Sequence, residues 1–222
     1  MEVIERARKE GRKILTEHEA KVFLSAYDVP VVRERLILDR EQLRDAVRDI
    51  GFPLVMKSCV PEISHKSERG LVVLDIRSMQ EAETAFEKIV RDLTVGTPAV
   101  LVQEMVKGKR ELVAGLTRDA QFGPTVMFGL GGIFTEILSD VVFRLAPFDR
   151  REALKMIGEI KGRKILEAVR GMDAVDVDIL ANILVAIGEI ALEHPAISEI
   201  DINPLIISGR LPVAADALIV LV

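Results

Sequence analysis

Cysteine, tryptophan and long apolar runs are scarce or absent in this chain, and each lack removes a class of function. The single cysteine, Cys59, cannot close a disulfide within the chain and leaves no thiol pair for zinc. There is no tryptophan, one tyrosine and eight phenylalanines, too few flat rings to build the stacking platforms on which single-stranded nucleic acid lies. Basic residues are in the minority, 30 against 35 acidic ones for a net charge of −5. A phosphate backbone or an anionic membrane surface selects the opposite balance. No apolar run reaches the roughly 20 residues of a bilayer span, because Glu189 and Glu193 interrupt the most apolar stretch. The opening MEVIERARKEGRK lacks the apolar core of a secretion signal. The expectation is a cytoplasmic protein with neither nucleic acid nor membrane as partner.

What is present is an ordinary globular mixture, 49% hydrophobic and 29% charged over 222 residues. That length suits one large domain or two small lobes, with cores built from Val, Ile, Leu and Ala. Thr16 and Glu19 have capping-box spacing and predict a helix to about Tyr27. Pro30 then opens the strand VVRERLIL. Asp39 is read as the cap of a second helix, EQLRDAVRDI, which Gly51 ends. PLVMKS reads as a buried strand, and a polar loop from Cys59 to Gly70 leads to the strand LVVLDI. Ser78 and Glu81 repeat the capping-box spacing before another helix. After Pro98 the pattern turns to strands (VLVQEMV, ELVAGLT, TVMFGL) separated by the polar turns KGKR and RDAQFG, as hairpins require. Helices from Asp149 and Asp176 follow, and ISEIDINPLIIS with LPVAADALIVL forms a closing strand pair. The alternation predicts two α/β lobes, 1–96 and 97–222.

That closing pair carries a geometric prediction. A two-residue turn at Gly209–Arg210 sets Asn203 opposite Asp216, and Asp201 projects from the same face as Asn203. Oxygen-bearing side chains converging between apolar strands suit magnesium, which needs few protein ligands when a nucleotide's phosphates complete its shell. A solvent-facing polar stripe, or a bulge at Pro204, is the competing reading. Lys57 ends an apolar strand beside the polar loop, placed either to meet phosphates or simply to reach solvent. His65 stands among Ser64, Lys66, Ser67 and Arg69. A neutral imidazole there is a competent phosphoryl acceptor, and a solvated loop histidine has the same surroundings. His18 and His194 are weaker candidates, the latter at a helix end whose dipole suits its charged form. FGLGGIF (128–134) is either a bend bringing amides to phosphates or an ordinary tight loop. Glu136 and Arg144 beyond it are explained equally by a salt bridge. Glu104–Val106 offers backbone groups from an edge strand before the KGKR turn and Glu111.

Together TEHEAKVFLSAYDVPV, GFPLVMKS, ISHKSERG, LVQEMVKGKREL, TRDAQFGPTVMFGLGGIFTEIL, FRLAP and EIDINPL resemble the ATP-grasp β subunit of ADP-forming acyl-CoA synthetases, from residue 14 onward. The resemblance implies two α/β lobes clamping ATP or ADP with Mg2+, and a separate CoA-binding α subunit in a heterotetramer. It implies that phosphoryl passes from an α-subunit histidine through His65 to ADP. By the same resemblance Lys57 and Ser67 contact phosphates, Glu104 to Val106 read adenine, and Glu111 lies near the nucleoside. Asn203 and Asp216 hold the metal, and Arg144 contacts phosphate. The chain departs from the family at Arg69-Gly70-Leu71, where members often carry two glycines. The rivals are a non-catalytic nucleotide-sensing module, a structural scaffold, and a succinyl-CoA ligase-like β subunit. That last kind carries a further C-terminal domain.

Overall fold

Thr16 caps its helix in the way its spacing from Glu19 requires. The Thr16 hydroxyl accepts the Glu19 amide at 3.2 Å, and the Glu19 carboxylate accepts the Thr16 amide at 2.9 Å. The computed structural model that shows this describes residues 2–60, 70–93, 98–132 and 139–222. The capped helix is α2 (Glu17–Ser25), preceded by α1 (Glu2–Lys9). Glu19 also takes a two-armed contact from Arg12 and one from Arg6. Burial works against its ionisation, but Arg12, the Thr16 amide and Arg6 prevail and hold it at about 2.

Two compact units follow from the contacts: Val32–Met105, and Met1–Val31 together with Val106–Val222. This differs from the division at 96/97 read from the sequence. Local patterning marks helices and strands but not which sheet they join. Ile4, Leu15, Phe23 and Leu24 are buried in the same core as Leu184 and Ile200, and Leu15 donates its amide to Ile219.

The Val32–Met105 unit is a four-stranded antiparallel sheet of β1 (Glu34–Ile37), β2 (Leu54–Ser58), β3 (Val72–Ile76) and β4 (Val100–Glu104), in the order β1-β4-β2-β3. Helices α3 (Leu43–Ile50) and α4 (Met79–Asp92) cover it, and β2 is buried at all five positions. Leu54 and Met56 enter the core beneath the helices, so alternation turns Val55 and Lys57 to the opposite face. Asp39 caps a turn, not the helix. It accepts the Gln42 amide while the Gln42 side chain accepts that of Leu38, and α3 begins only after these bonds are made. Ser78 caps α4 as expected, but Glu81 reaches back to the Arg77 amide, so the reciprocal bond is displaced by one residue.

The other unit is built on a sheet in the order β10-β8-β5-β6-β7, with β9 paired to β8. Its strands are β5 (Glu111–Asp119), β6 (Gly123–Leu130), β7 (Val141–Leu145), β8 (Ile197–Ser208), β9 (Leu211–Ala214) and β10 (Leu218–Leu221). Helices α5 (Arg150–Glu159) and α6 (Val177–Glu193) carry Asp149 and Asp176 as caps, and Leu180, Leu184 and Ile187 of α6 are fully buried. Arg118 closes the far end of α6 by donating to the carbonyls of Ala191, His194 and Ile197. VLVQEMV and ELVAGLT do not form the expected hairpin. β4 pairs with β1 and β2, whereas β5 pairs with β6 and β8. Among the described residues no helix is long and apolar enough to cross a membrane.

Candidate functional site

The β8–β9 hairpin turns at Gly209–Arg210 and pairs Leu205 with Ala214 and Ser208 with Leu211. Past Ala214 the partner strand leaves the ladder for three residues, then returns as β10 with Leu218 opposite Asp201 and Ile219 opposite Ile200. The register is the same on both sides of this gap, and within it Asn203 stands opposite Asp216. Pro204 therefore does not shift the pairing, although the peptide before it is cis. Asn203 is exposed, and Asp201 and Asp216 are half-buried. Burial, together with the charges of Glu199 and Asp216, pushes the Asp201 carboxyl up to about 6. An amide and carboxylates on one strand pair give an oxygen-only donor set, which fits magnesium and not the softer metals. Among the described residues no group of three His, Cys, Asp or Glu side chains forms a metal cluster, so the fit rests on this small set.

Lys57 is 7% exposed and sits between Val72 of β3 and Leu101 of β4. It is a buried strand lysine, and the reading of a side chain reaching out to solvent does not describe it. His65 and Ser67 lie outside the described residues. The chain on either side is fixed: Cys59 donates to Ala99, Ser58 donates to the Leu71 carbonyl, and Val60 packs with Leu71. Gly70 takes the positive φ, +69°. Leu71 is thus an apolar anchor at the end of the loop, and the departure from two glycines falls on a residue that is 1% exposed.

Glu104 ends β4, where its carboxylate accepts the backbone amide and Nε of Arg33, both at 2.9 Å. Met105 commits its amide to the Pro53 carbonyl, and Val106 follows as the first residue of the next segment. Glu111 opens β5 against the glycine-rich bend. Its carbonyl accepts the Gly131 amide at 2.8 Å, and the Leu130 amide goes to Asp140. A Cβ on Gly129 would collide with the Asp140 carbonyl, and one on Gly131 would lie 2.7 Å from that of Leu112. Close strand approach thus explains these two glycines, and two amides of the bend are already spent. Glu136 lies outside the described residues. Arg144, on β7, is clasped by Glu152 and Glu159 of α5.

The model described as an ATP-grasp domain matches residues 6–221. The chain is 44% identical to the β subunit of ADP-forming acetate–CoA ligase I from Pyrococcus furiosus, over 99% of this chain and 97% of that one. It belongs to the ATP-grasp family, among these β subunits. A solved relative, the Ca. Korarchaeum cryptofilum dinucleotide-forming acetyl-coenzyme A synthetase 1 with coenzyme A, Ca-AMPCP and HgCl+, superposes with a TM-score of 0.95 at 41% identity. It covers 100% of this chain and 99% of that one. In another structure that enzyme holds coenzyme A and Mg-AMPPCP, with its phosphohistidine segment pointing towards the nucleotide binding site. A fused relative, acetate–CoA ligase I of Archaeoglobus fulgidus, is 38% identical over 91% of this chain, which spans 30% of its length. A β subunit implies an α partner, and the fused relative's extra length agrees.

Three residues take roles that their sequence surroundings do not announce. Arg110, 4% exposed, donates to the carbonyls of Ile165, Glu167, Asp173 and Gly209. Inside KGKR it has the look of a polar turn residue, and nothing in the sequence marks it as buried. Asp140 is equally buried and accepts the amides of Lys161 and Gly162 beyond α5. The third, His194, departs from the charged form expected at the α6 terminus. Burial lowers its pKa instead, and it meets the Tyr27 hydroxyl at 2.6 Å.

Proposed function

We propose that this chain is the nucleotide-binding β subunit of an ADP-forming acetate–CoA ligase, working with a CoA-binding α subunit in a cytoplasmic heterotetramer. Acetyl-CoA, ADP and phosphate become acetate, ATP and CoA. The observation that carries the reading is the common register on either side of the strand gap, which sets Asn203 opposite Asp216, on a chain that aligns over nearly its whole length with such a β subunit.

In this reading Asn203 and Asp216 hold Mg2+, which neutralises phosphate charge when bound. Glu104 and Val106 address the adenine and Glu111 the nucleoside. Lys57 and Ser67 meet the phosphates. His65 attacks the phosphorus of the α-subunit phosphohistidine. The old N–P bond breaks as a new one forms, and the departing imidazole is left neutral once it takes a proton. A terminal phosphate oxygen of ADP then displaces His65 and yields ATP. Both bonds store similar transfer potential, so the protein's contribution is position and charge. In this scheme Arg144 is shared between phosphate and its carboxylate partners Glu152 and Glu159.

The test uses the reconstituted αβ enzyme. His65→Asn keeps size and polarity but removes the nucleophile, so turnover and acid-labile phosphate on this subunit should both vanish. ADP binding should stay within a few-fold. Asp216→Asn should weaken magnesium-dependent ADP binding roughly ten- to a hundred-fold, the scale of one lost charge-assisted contact. Full turnover by the His65→Asn enzyme would remove His65 from the relay. ADP titrations of the Asp216→Asn enzyme that match the wild type, with and without magnesium, would sink the metal assignment.

A further inference from the structure

Of the glycines at positive φ, all but Gly132 have room for a side chain, and the nearest neighbour of a Cβ on Gly70 would be Nζ of Lys88 at an ordinary 3.8 Å. At Gly11, Gly51, Gly123, Gly171 and Gly209 an added Cβ would meet nothing within 4 Å, so backbone conformation alone explains the residue. Gly132, at φ +62°, carries a second constraint. A Cβ there would lie 2.6 Å from Oε2 of Glu111 and 3.4 Å from its Cδ. The Glu111 carboxylate occupies the volume that any other residue at 132 would fill.

The Glu111 main chain is pinned independently of this contact. Its carbonyl accepts the Gly131 amide, it pairs with Ile206 of β8, and the adjoining Arg110 carbonyl accepts the Ile207 amide. What these bonds leave undetermined is the side chain, and Gly132 bounds the space it lies in. We propose that Gly132 is a positioning residue for nucleoside recognition: its missing side chain lets the Glu111 carboxylate lie over the bend, in the orientation that meets the nucleoside. The inference rests on the reading that Glu111 contacts that part of ADP. It gives the last glycine of FGLGG a different task from its neighbours, which are required by close approach to strand backbone.

The expected collision involves the far end of a flexible side chain, so the fold accommodates it by moving Glu111. The remaining cost to the fold is the strain of a left-handed alanine. Asparagine tolerates that conformation better than alanine, so Gly132→Asn separates strain from displacement. In the αβ enzyme, both Gly132→Ala and Gly132→Asn should raise KM for ADP roughly tenfold, on the order of one displaced charge-assisted hydrogen bond. KM for acetyl-CoA should stay within twofold, and Gly132→Asn should lose less in melting temperature than Gly132→Ala.

The decisive measurement is a double-mutant cycle with Glu111→Ala. If Gly132 acts through Glu111, adding Gly132→Asn to the Glu111→Ala enzyme should change KM for ADP by less than twofold. If the two effects multiply, or if the single Gly132 variants leave KM for ADP unchanged, the inference is overturned while the assignment of Glu111 stands. A Glu111→Ala enzyme with wild-type KM for ADP would overturn that assignment and the inference with it.

Discussion

Glu19 gathers donors from two arginines, a backbone amide and a hydroxyl. Holding it near 2 when an unperturbed glutamate lies near 4.5 makes it a source of stability that depends on pH. Because the folded value is the lower one, the contribution is complete above about pH 4.5 and drains away as pH falls through 2. Glu19→Gln should therefore lower stability by about 2 kcal/mol at pH 7, with the gap to wild type closing near pH 2. Urea melts at pH 7 and pH 2.5 read this directly, and an equal gap at both would refute it. Individual residues were legible where chemistry and spacing agree, as in the Thr16–Glu19 box. Arg110 and Asp140 were illegible for the opposite reason. Each satisfies backbone groups brought together only by the tertiary fold, and a lone charge in a polar run announces no such partners.

For elements, the hairpin closing the sheet shows what local rules can reach. Gly209–Arg210 fixes the turn, the turn fixes the register, and the register carries through a three-residue gap to Asp201 and Leu218. The same rules misled at KGKR, because a polar glycine-bearing segment looks alike whether it joins paired strands or hands the chain from one sheet to another. Within that segment Gly108 runs so close to β8 that a Cβ would sit 2.5 Å from the Ile207 carbonyl, and Arg110 ties it to the short 3-10 turn Arg163–Leu166 and to Gly209. Arg110→Met keeps the buried stem but strips four carbonyls of their donor. The expected cost is about 3 kcal/mol, with amide exchange accelerated at residues 163–167 and 209–210. Wild-type exchange in both stretches would show that the arginine ties down nothing.

Across the whole molecule, the two large buried clusters have no residue in common. Separate cores permit separate melting. Met56→Ala, a truncation beneath α3 and α4 at a fully buried position, should cost about 2–5 kcal/mol and should lower only the transition reported by probes within Val32–Met105. Calorimetry with one probe in each unit checks this, and a single transition shifting as a block would exclude it. The order of the chain adds a consequence for synthesis on the ribosome. Lys13 and Leu15 bond to the backbone of Leu221 and Ile219, so the first 31 residues dock on strands made some two hundred residues later. The inserted unit can complete its own sheet meanwhile. Until β10 emerges, α1 and α2 carry apolar faces with no sheet to cover them, and this early segment is where a nascent chain is most exposed to holdase chaperones and to premature association with its neighbours on a polysome.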